Sequence, residues 1–214
     1  MELVKLSPTA LCKFLECPAC FWREYHKQMP PSLPLPGVLS KLDALQKEYY
    51  DGYRNKLPPL LKGFVDGVLV PMDMALRFRK RVSYEDKKLK AVLAGKMDDC
   101  FISGKKLIVM DNKTGNPDNA ELMELYKLQL EAYAFILSKE FEVSDFGYLI
   151  YYQASSGNPE EGIKFKTTVK RVNINYSRIS TIFREAVECA RLTKPPQRHK
   201  DCAMCEWIRE IETD

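Results

Sequence analysis

The most constraining feature of the chain is a short apolar run over residues 107–110, which ends in Asp111 and is followed by Lys113. Such a run, bounded by turn residues, predicts a buried β-strand. Asp111 and Lys113 lie two residues apart, so on a strand their side chains point to the same face. A second acidic residue, Asp98, closes the short segment that begins at Gly95. Two carboxylates and an ammonium group that meet at strand ends can hold a divalent cation and steady a phosphate.

A helix is predicted over residues 121–137, and it carries Gln129 and Tyr133 one turn apart on the same face. A glutamine can bind a phosphate, a base edge or a metal-bound water, and a tyrosine can stack or donate its hydroxyl. A helix with one exposed Gln and one buried Tyr is an equally ordinary interpretation. The pair gains weight only in combination with the acidic residues that precede it.

The ordered combination Gly-x-x-Asp, apolar-Asp-x-Lys-Thr-Gly and Gln-x-x-x-Tyr resembles the PD-(D/E)XK nuclease superfamily, and within it the RecB-like branch. The core of the resemblance covers residues 90–140. It implies that Asp98 and Asp111 bind Mg²⁺ or Mn²⁺, helped by the backbone carbonyl of Asn112. It also implies that Lys113 positions the attacking water or neutralises charge on the phosphate, in a metal-dependent DNA nuclease that is expected to be an exonuclease.

By the same resemblance, Gln129 and Tyr133 would orient the site or the nucleic-acid backbone. Members of the branch often carry a further ligand on an upstream helix, and Glu48 is the nearest carboxylate candidate in the helix predicted over 38–54. The resemblance implies an α/β fold with a restriction-endonuclease-like core, in which a central mixed sheet is flanked by helices. One nuclease domain is expected over 1–214, with a helical, proline-rich segment at 1–60 and a cysteine tail at 193–214 packed on it.

Four of the seven cysteines form two Cys-x-x-Cys pairs, Cys17 with Cys20 and Cys202 with Cys205. Two such pairs supply the four thiolates of one metal site, and we expect this site to join the two ends of the chain. Buried thiols, a redox pair and disulfides are the alternatives, although an odd cysteine total argues against a disulfide framework. Cys12 and Cys189 are the reserve ligands.

Some RecB-like nucleases, including AddB and the CRISPR adaptation exonucleases, join their ends through an iron–sulfur cluster, which implies a [4Fe–4S] cluster here. Those proteins draw one ligand from the N-terminal side and three from the C-terminal side, whereas this chain offers two and two. Zn²⁺ suits four thiolates equally well and stays open as the alternative.

Composition limits the class of protein. With 45% hydrophobic and 29% charged residues in 214, the chain reads as globular rather than disordered. No apolar run reaches the roughly 20 residues of a membrane span, and no signal segment is apparent, so we expect a cytoplasmic protein. The net charge is only +4, but basic residues cluster at Arg77, Arg79, Lys80, Arg81, Lys87, Lys88 and Lys90. Such clusters favour nucleic acid, here single-stranded DNA or duplex ends, and also fit an ordinary solvated surface.

Two rival functions belong to other classes. One is a nuclease-fold module that no longer cleaves and instead binds nucleic acid or docks a partner, and the other is a zinc-stapled structural or RNA-binding protein. The presence of Asp98, Asp111 and Lys113 together favours the nuclease. A separate helicase, or CRISPR adaptation or repair proteins, are the expected partners.

The remaining pattern predicts a proline-rich connector over 30–36 and a final helix over 176–192. Strands are predicted over 64–70, 75–82, 90–98, 106–113, 147–153 and 164–172.

Overall fold

The structure is a computed structural model, and it describes residues 2–29, 36–158 and 160–212. The connector predicted over 30–36 lies, except for Pro36, outside these residues. The α-helices of the described part are α1 (Pro8–Glu16), α2 (Pro18–Tyr25), α3 (Gly37–Asp51), α4 (Met72–Lys80), α5 (Ala120–Leu137), α6 (Ile179–Ala190) and α7 (Ala203–Glu212). Its strands are β1 (Val4–Leu6), β2 (Val68–Leu69), β3 (Val82–Asp86), β4 (Ala91–Gly95), β5 (Asp99–Ser103), β6 (Lys106–Thr114), β7 (Glu142–Val143), β8 (Phe146–Asn158) and β9 (Gly162–Asn173).

The chain divides into two compact units. The sheet unit comprises residues 34–82 and 95–176, and the terminal unit comprises residues 1–33, 83–94 and 177–214. The expectation of a single domain over 1–214 stays a prediction. None of the helices in the described ranges is long and apolar enough to cross a membrane.

The sheet unit is built on a mixed sheet with the strand order β2-β5-β6-β8-β9, and β7 also pairs with β6. Strand β6 runs antiparallel to β5 and parallel to β8. A parallel neighbour needs a long connection, and α5 provides it between β6 and β8. Helix α4 packs against β5, and α5 packs against β6. The predicted α/β class, with a central mixed sheet flanked by helices, is confirmed.

Alternation along β6 decides which residues enter the main core of this unit. Ile108 and Met110 are fully buried, and they pack with Tyr50 of α3 and with Phe101 of β5. Leu107 and Val109, the alternate residues, are buried as well. A strand buried on both faces reads as a continuous apolar run, which is the pattern the sequence shows at this position.

The terminal unit combines a three-stranded sheet, in the order β1-β4-β3, with α1, α2, α6 and α7. Helix α2 packs against α1, α6 and α7. Helix α6 buries Ile182, Phe183 and Ala186 at helical spacing, as an amphipathic helix on a core does. The indole N–H of Trp22 in α2 donates to the backbone oxygen of Leu192 just beyond α6, at 2.8 Å.

Three predicted strands differ from the structure, and the one predicted over 64–70 forms only at Val68–Leu69. The strand predicted over 75–82 is wrong, because residues 72–80 form α4. Its buried residues, Ala75 and Phe78, are three apart, which fits one face of a helix and not one face of a strand. The strand predicted over 90–98 ends at Gly95, so Asp98 lies beyond it, immediately before β5. The sequence analysis predicted no strand for β1, β3, β5 or β7.

Candidate active site and cysteine cluster

The two predicted metal carboxylates are brought together by the pairing of β5 with β6. These strands are antiparallel, with Asp99 opposite Met110 and Cys100 opposite Val109. Continued by one residue, this register sets Asp98 opposite Asp111. Side chains directly opposite in an antiparallel pair lie on the same face, with Cβ atoms about 4.5–5.5 Å apart. The two carboxylates therefore face one site in the sheet unit.

Hydrogen bonding and charge support this placement of Asp98. Its Oδ2 accepts a bond of 2.8 Å from the backbone N–H of Asn112, the residue after Asp111. Burial, followed by the negative charge of Asp111, raises the pKa of the Asp98 carboxyl to about 6. A half-buried and a buried carboxylate that repel one another form a site that a cation stabilises. The donor set consists of oxygens, which is the chemistry that Mg²⁺ and Mn²⁺ prefer.

Lys113 connects Asp111 to helix α5. It forms an ion pair with Asp111, and its Nζ donates to Oε1 of Gln129 at 2.8 Å. The same Nζ lies 4.0 Å from the ring centroid of Tyr126. Asp111 and Lys113 thus share the face of β6 that α5 covers, and Gln129 holds the ammonium group from that helix. Gln129, which we expected to orient the site or the nucleic-acid backbone, contacts Lys113 directly.

Tyr133 reaches the backbone that leads into the site. Its hydroxyl donates to the backbone oxygen of Lys96 at 2.6 Å, two residues before Asp98. This bond ties α5 to the segment between β4 and β5, so Tyr133 supports the position of Asp98. Asn112 offers its backbone N–H to Asp98, and its side-chain Oδ1 accepts from Tyr50 at 3.4 Å.

Helix α3 brings a different residue to the site from the one predicted. Lys47 Nζ lies 3.8 Å from Asp98 Oδ1 and 2.7 Å from Asp43 Oδ2, so it bridges the two carboxylates. The charge of Asp43 also contributes to the raised pKa of Asp98. Glu48 is exposed on the same helix. Within the described ranges, no third acidic, histidine or cysteine ligand atom forms a compact group with those of Asp98 and Asp111.

The residue next to Asp98 is the centre of a buried ion network. Asp99 is fully buried, and its carboxylate accepts from Arg54 at 2.8 and 2.6 Å and from Arg79 at 2.8 Å. Asp51 binds both guanidinium groups from the other side, at 2.5 Å to Arg54 and 2.9 Å to Arg79. Arg79 also donates to the backbone oxygen of Asp98 at 3.2 Å. The network therefore fixes the backbone from which Asp98 projects.

The sequence analysis did not predict this network, although the sequence contains an indication of it. Asp99 is followed directly by the apolar residues Cys100 and Phe101, and a charged residue within a buried strand requires partners. Arg79 belonged to a cluster that we expected to attract nucleic acid, but its guanidinium is committed to Asp51 and Asp99. Neighbouring Arg77 pairs with Glu140 on the surface, at 2.5 Å.

A groove opens beside the end of β6. It has a volume of about 840 Å³ and lies between α3 and the β8–β9 hairpin. Thr114 and Gly115, which follow Lys113, form part of its wall. Val38 and Ile163 line it as well, and both are largely exposed apolar side chains.

In the terminal unit, the four predicted cysteines meet. The sulfur atoms of Cys17, Cys20, Cys202 and Cys205 all lie within 4.8 Å of one another, so the predicted clustering is confirmed. Cys17 is the N-cap of α2 and Cys20 lies in its first turn. Cys202 and Cys205 hold the equivalent places at the start of α7, where the N–H of Glu206 donates to the Cys202 oxygen.

The remaining cysteines of this unit lie outside the group. Cys189 contacts the backbone oxygen of Pro18 through its sulfur, at 3.7 Å.

Within the group, the thiols differ in pKa. Burial opposes ionisation of Cys17, but hydrogen bonds from the backbones of His199 and Cys20 outweigh it and lower the pKa of this thiol to about 7. Burial raises the pKa of Cys205 to about 11. Four thiols packed this closely fit a site for a metal, which would supply the missing positive charge.

Comparison with known proteins places the whole arrangement in a family. The chain is similar to a protein described as "Crystal structure of SSO0001", with 18% identity and a TM-score of 0.44, over 88% of this chain and 77% of that one. No curated protein matches it. The family model of the PD-(D/E)XK nuclease superfamily matches residues 42–209, which is well over half of the chain. The match includes Asp98, Asp111 and Lys113, and the chain belongs to the PD-(D/E)XK nuclease superfamily.

Proposed function

We propose that this protein is a DNA exonuclease that depends on Mg²⁺ or Mn²⁺ and hydrolyses phosphodiester bonds at the site of Asp98, Asp111 and Lys113. Membership of the superfamily supports a hydrolase acting on the phosphodiester bonds of nucleic acid. The observation that carries the proposal is the strand register that sets Asp98 opposite Asp111, with Lys113 paired to Asp111. DNA as the substrate and attack from an end rest on the resemblance to the RecB-like branch.

The two carboxylates would hold the metal, helped by the backbone carbonyl of Asn112. When bound, the metal polarises the scissile phosphate and lowers the pKa of a water molecule so that it attacks in line. Lys113 is largely buried and held by Gln129, so its ammonium group would be positioned to orient this water or to neutralise charge that develops on the phosphate. Tyr133 acts through the backbone before Asp98 and is a positioning residue.

Helix α3 would complete the metal site. Its residue Asp43 is linked to the carboxylate of Asp98 through Lys47. Lys47 pairs with both Asp43 and Asp98, so Asp43 would join Asp98 and Asp111 in holding the metal only if the ammonium group of Lys47 moved away. Glu48, the candidate chosen from the sequence, stays a second possibility for the same role.

The test is a cleavage assay on end-labelled DNA with the wild type, Asp111→Ala, Lys113→Ala and Lys105→Ala. Lys105 lies in the exposed turn between β5 and β6, so its variant matches the charge change of Lys113→Ala away from the site. We expect Mg²⁺-dependent cleavage that EDTA abolishes and that both site variants lose by a factor of about 100 or more, with binding retained. Undiminished cleavage by Asp111→Ala would contradict the proposal.

Exonuclease action is tested separately with circular substrates. An exonuclease degrades linear single-stranded DNA and spares the circular form of the same sequence, whereas an endonuclease cuts both. Linear RNA in a parallel reaction tests the choice of DNA. Equal cleavage of circles and lines would overturn the exonuclease assignment and leave the superfamily chemistry intact.

A further inference from the structure

The distances among the four cysteine sulfurs decide what kind of metal centre they can hold. Cys20 Sγ lies 3.3 Å from Cys205 Sγ and 3.5 Å from Cys202 Sγ, and Cys17 Sγ lies 3.6 Å from Cys205 Sγ. All of these short contacts join one Cys-x-x-Cys pair to the other. The whole group fits within 4.8 Å.

A single tetrahedral ion requires this compactness. With zinc–sulfur bonds of about 2.3 Å, the sulfurs at the corners of a regular tetrahedron lie about 3.8 Å apart. The three shortest contacts, 3.3–3.6 Å, fall slightly below that edge, and the upper limit of 4.8 Å lies about 1 Å above it. A central ion would need only small outward shifts of the thiols.

Iron–sulfur clusters require a more open arrangement. In a [4Fe–4S] cluster each thiolate binds a different iron at a corner of a cube and points outward, so the cube keeps the four cysteine sulfurs out of contact, whereas here three pairs of sulfurs touch at 3.3–3.6 Å. In a [2Fe–2S] cluster two thiolates bind each iron, and the two pairs lie on opposite sides of it. Here the short contacts form the chain Cys17–Cys205–Cys20–Cys202, so every division into two pairs leaves a short contact between them.

We infer that Cys17, Cys20, Cys202 and Cys205 bind one Zn²⁺ ion and not an iron–sulfur cluster. Four thiolates on one Zn²⁺ leave two excess negative charges, and the surroundings offset them. Both pairs begin a helix, α2 or α7, whose N-terminal N–H groups carry partial positive charge. The Cys17 sulfur accepts from the N–H of His199 at 3.4 Å, and the thiols also interact with the charge of Arg198.

The test is metal analysis of the full chain, produced in medium supplied with both iron and zinc and purified without oxygen so that an oxygen-sensitive cluster survives. We expect about one zinc per chain, little iron, no acid-labile sulfide and no visible absorbance. Replacing zinc with Co²⁺ should give the intense visible bands of a tetrahedral thiolate site. A brown protein with iron and sulfide in equal amounts would overturn the assignment, and so would a protein with no bound metal or with one iron and no sulfide.

Variants locate the zinc within the chain. Cys202→Ser should reduce the zinc content to well below one per chain, whereas Cys189→Ala removes a buried thiol of the same unit that lies outside the group and should leave it unchanged. If Cys202→Ser does not fold, metal content and absorbance of the wild type still decide between zinc and a cluster. Because neither readout involves cleavage, their outcome is separate from that of the nuclease assay.

Discussion

The carboxylate site and the cysteine cluster become compact by opposite routes. Asp98 and the N–H of Asn112 are 14 residues apart, and the β5–β6 hairpin brings them together. Cys17 and Cys205 are 188 residues apart, and they meet only when the two ends of the chain fold onto the same unit. The first site is therefore a product of strand register, and the second depends on the closure of a long loop.

The two sites also differ in how their charge is balanced. The carboxylates already have cations of the chain beside them, Lys113 on Asp111 and Lys47 near Asp98. The thiols contact one another, and a central metal would replace those contacts with bonds. We therefore expect the metal at the carboxylates to exchange freely during function and the metal at the thiols to be part of the folded state.

The largest expected effect is on stability at the thiols. Cys205→Ser should lower the free energy of unfolding of the terminal unit by several kcal/mol, a fraction of the roughly 10–16 kcal/mol that structural zinc contributes in small zinc domains. Thermal unfolding of the wild type and the variant, with and without a zinc chelator, measures this loss of stability, because the chelator should destabilise the wild type far more than the variant. Equal stability of the two proteins without chelator would show that the cluster has no structural role.

At the carboxylates the expected effect is on rate and not on stability. Asp98→Asn should reduce cleavage by about 1000-fold, because a metal ligand is lost. In EDTA it should be at least as stable as the wild type. The folded pKa of Asp98 is raised to about 6, so its ionised form costs stability that is greatest above that pH, and a neutral Asn removes the cost. Thermal unfolding at pH 7.5 checks this, with exposed Asp145→Asn as the control.

At Asp99, the neighbour of Asp98, the expected effect is a loss of stability. Asp99→Asn removes the fully buried one of the two carboxylates that Arg54 and Arg79 share, and breaking a buried ion pair costs about 3–5 kcal/mol. Denaturant unfolding of Asp98→Asn and Asp99→Asn side by side separates a residue of the site from a residue that supports it. A loss of stability in the Asp98 variant and not in the Asp99 variant would contradict this division.

The smallest expected effect concerns helix α3. Asp43→Asn should raise the Mg²⁺ concentration needed for half-maximal cleavage by about 10-fold, as loss of a supporting carboxylate at a metal site does. Glu48→Gln, a matched change five residues later at an exposed position, should leave this Mg²⁺ concentration unchanged. A Mg²⁺ titration of cleavage by both variants decides between Asp43 and Glu48 as the additional ligand. An effect confined to Glu48→Gln would assign that role to Glu48.

Local pattern was sufficient where a residue's neighbours along the chain determine its environment. The run over 107–110 predicted β6 because it is apolar without interruption, and alternation placed Asp111 and Lys113 on one face. Helical spacing predicted α5, together with the face that brings Gln129 to Lys113. The repeated Cys-x-x-Cys spacing predicted four converging thiols, since each pair is short enough to face one ion.

Tertiary structure decided what local pattern leaves open. Residues 72–80 alternate like a strand in part, but Ala75 and Phe78 become buried on one side of a helix. Asp98 and Asp99 are chemically identical, and only their partners make one a candidate metal ligand and the other a buried anchor. The sequence by itself determined which side chains carry the chemistry and how they are spaced. The fold alone decided which charges from distant parts of the chain meet, because electrostatic interaction depends on distance in space and on burial, and for distant residues neither follows from position along the chain.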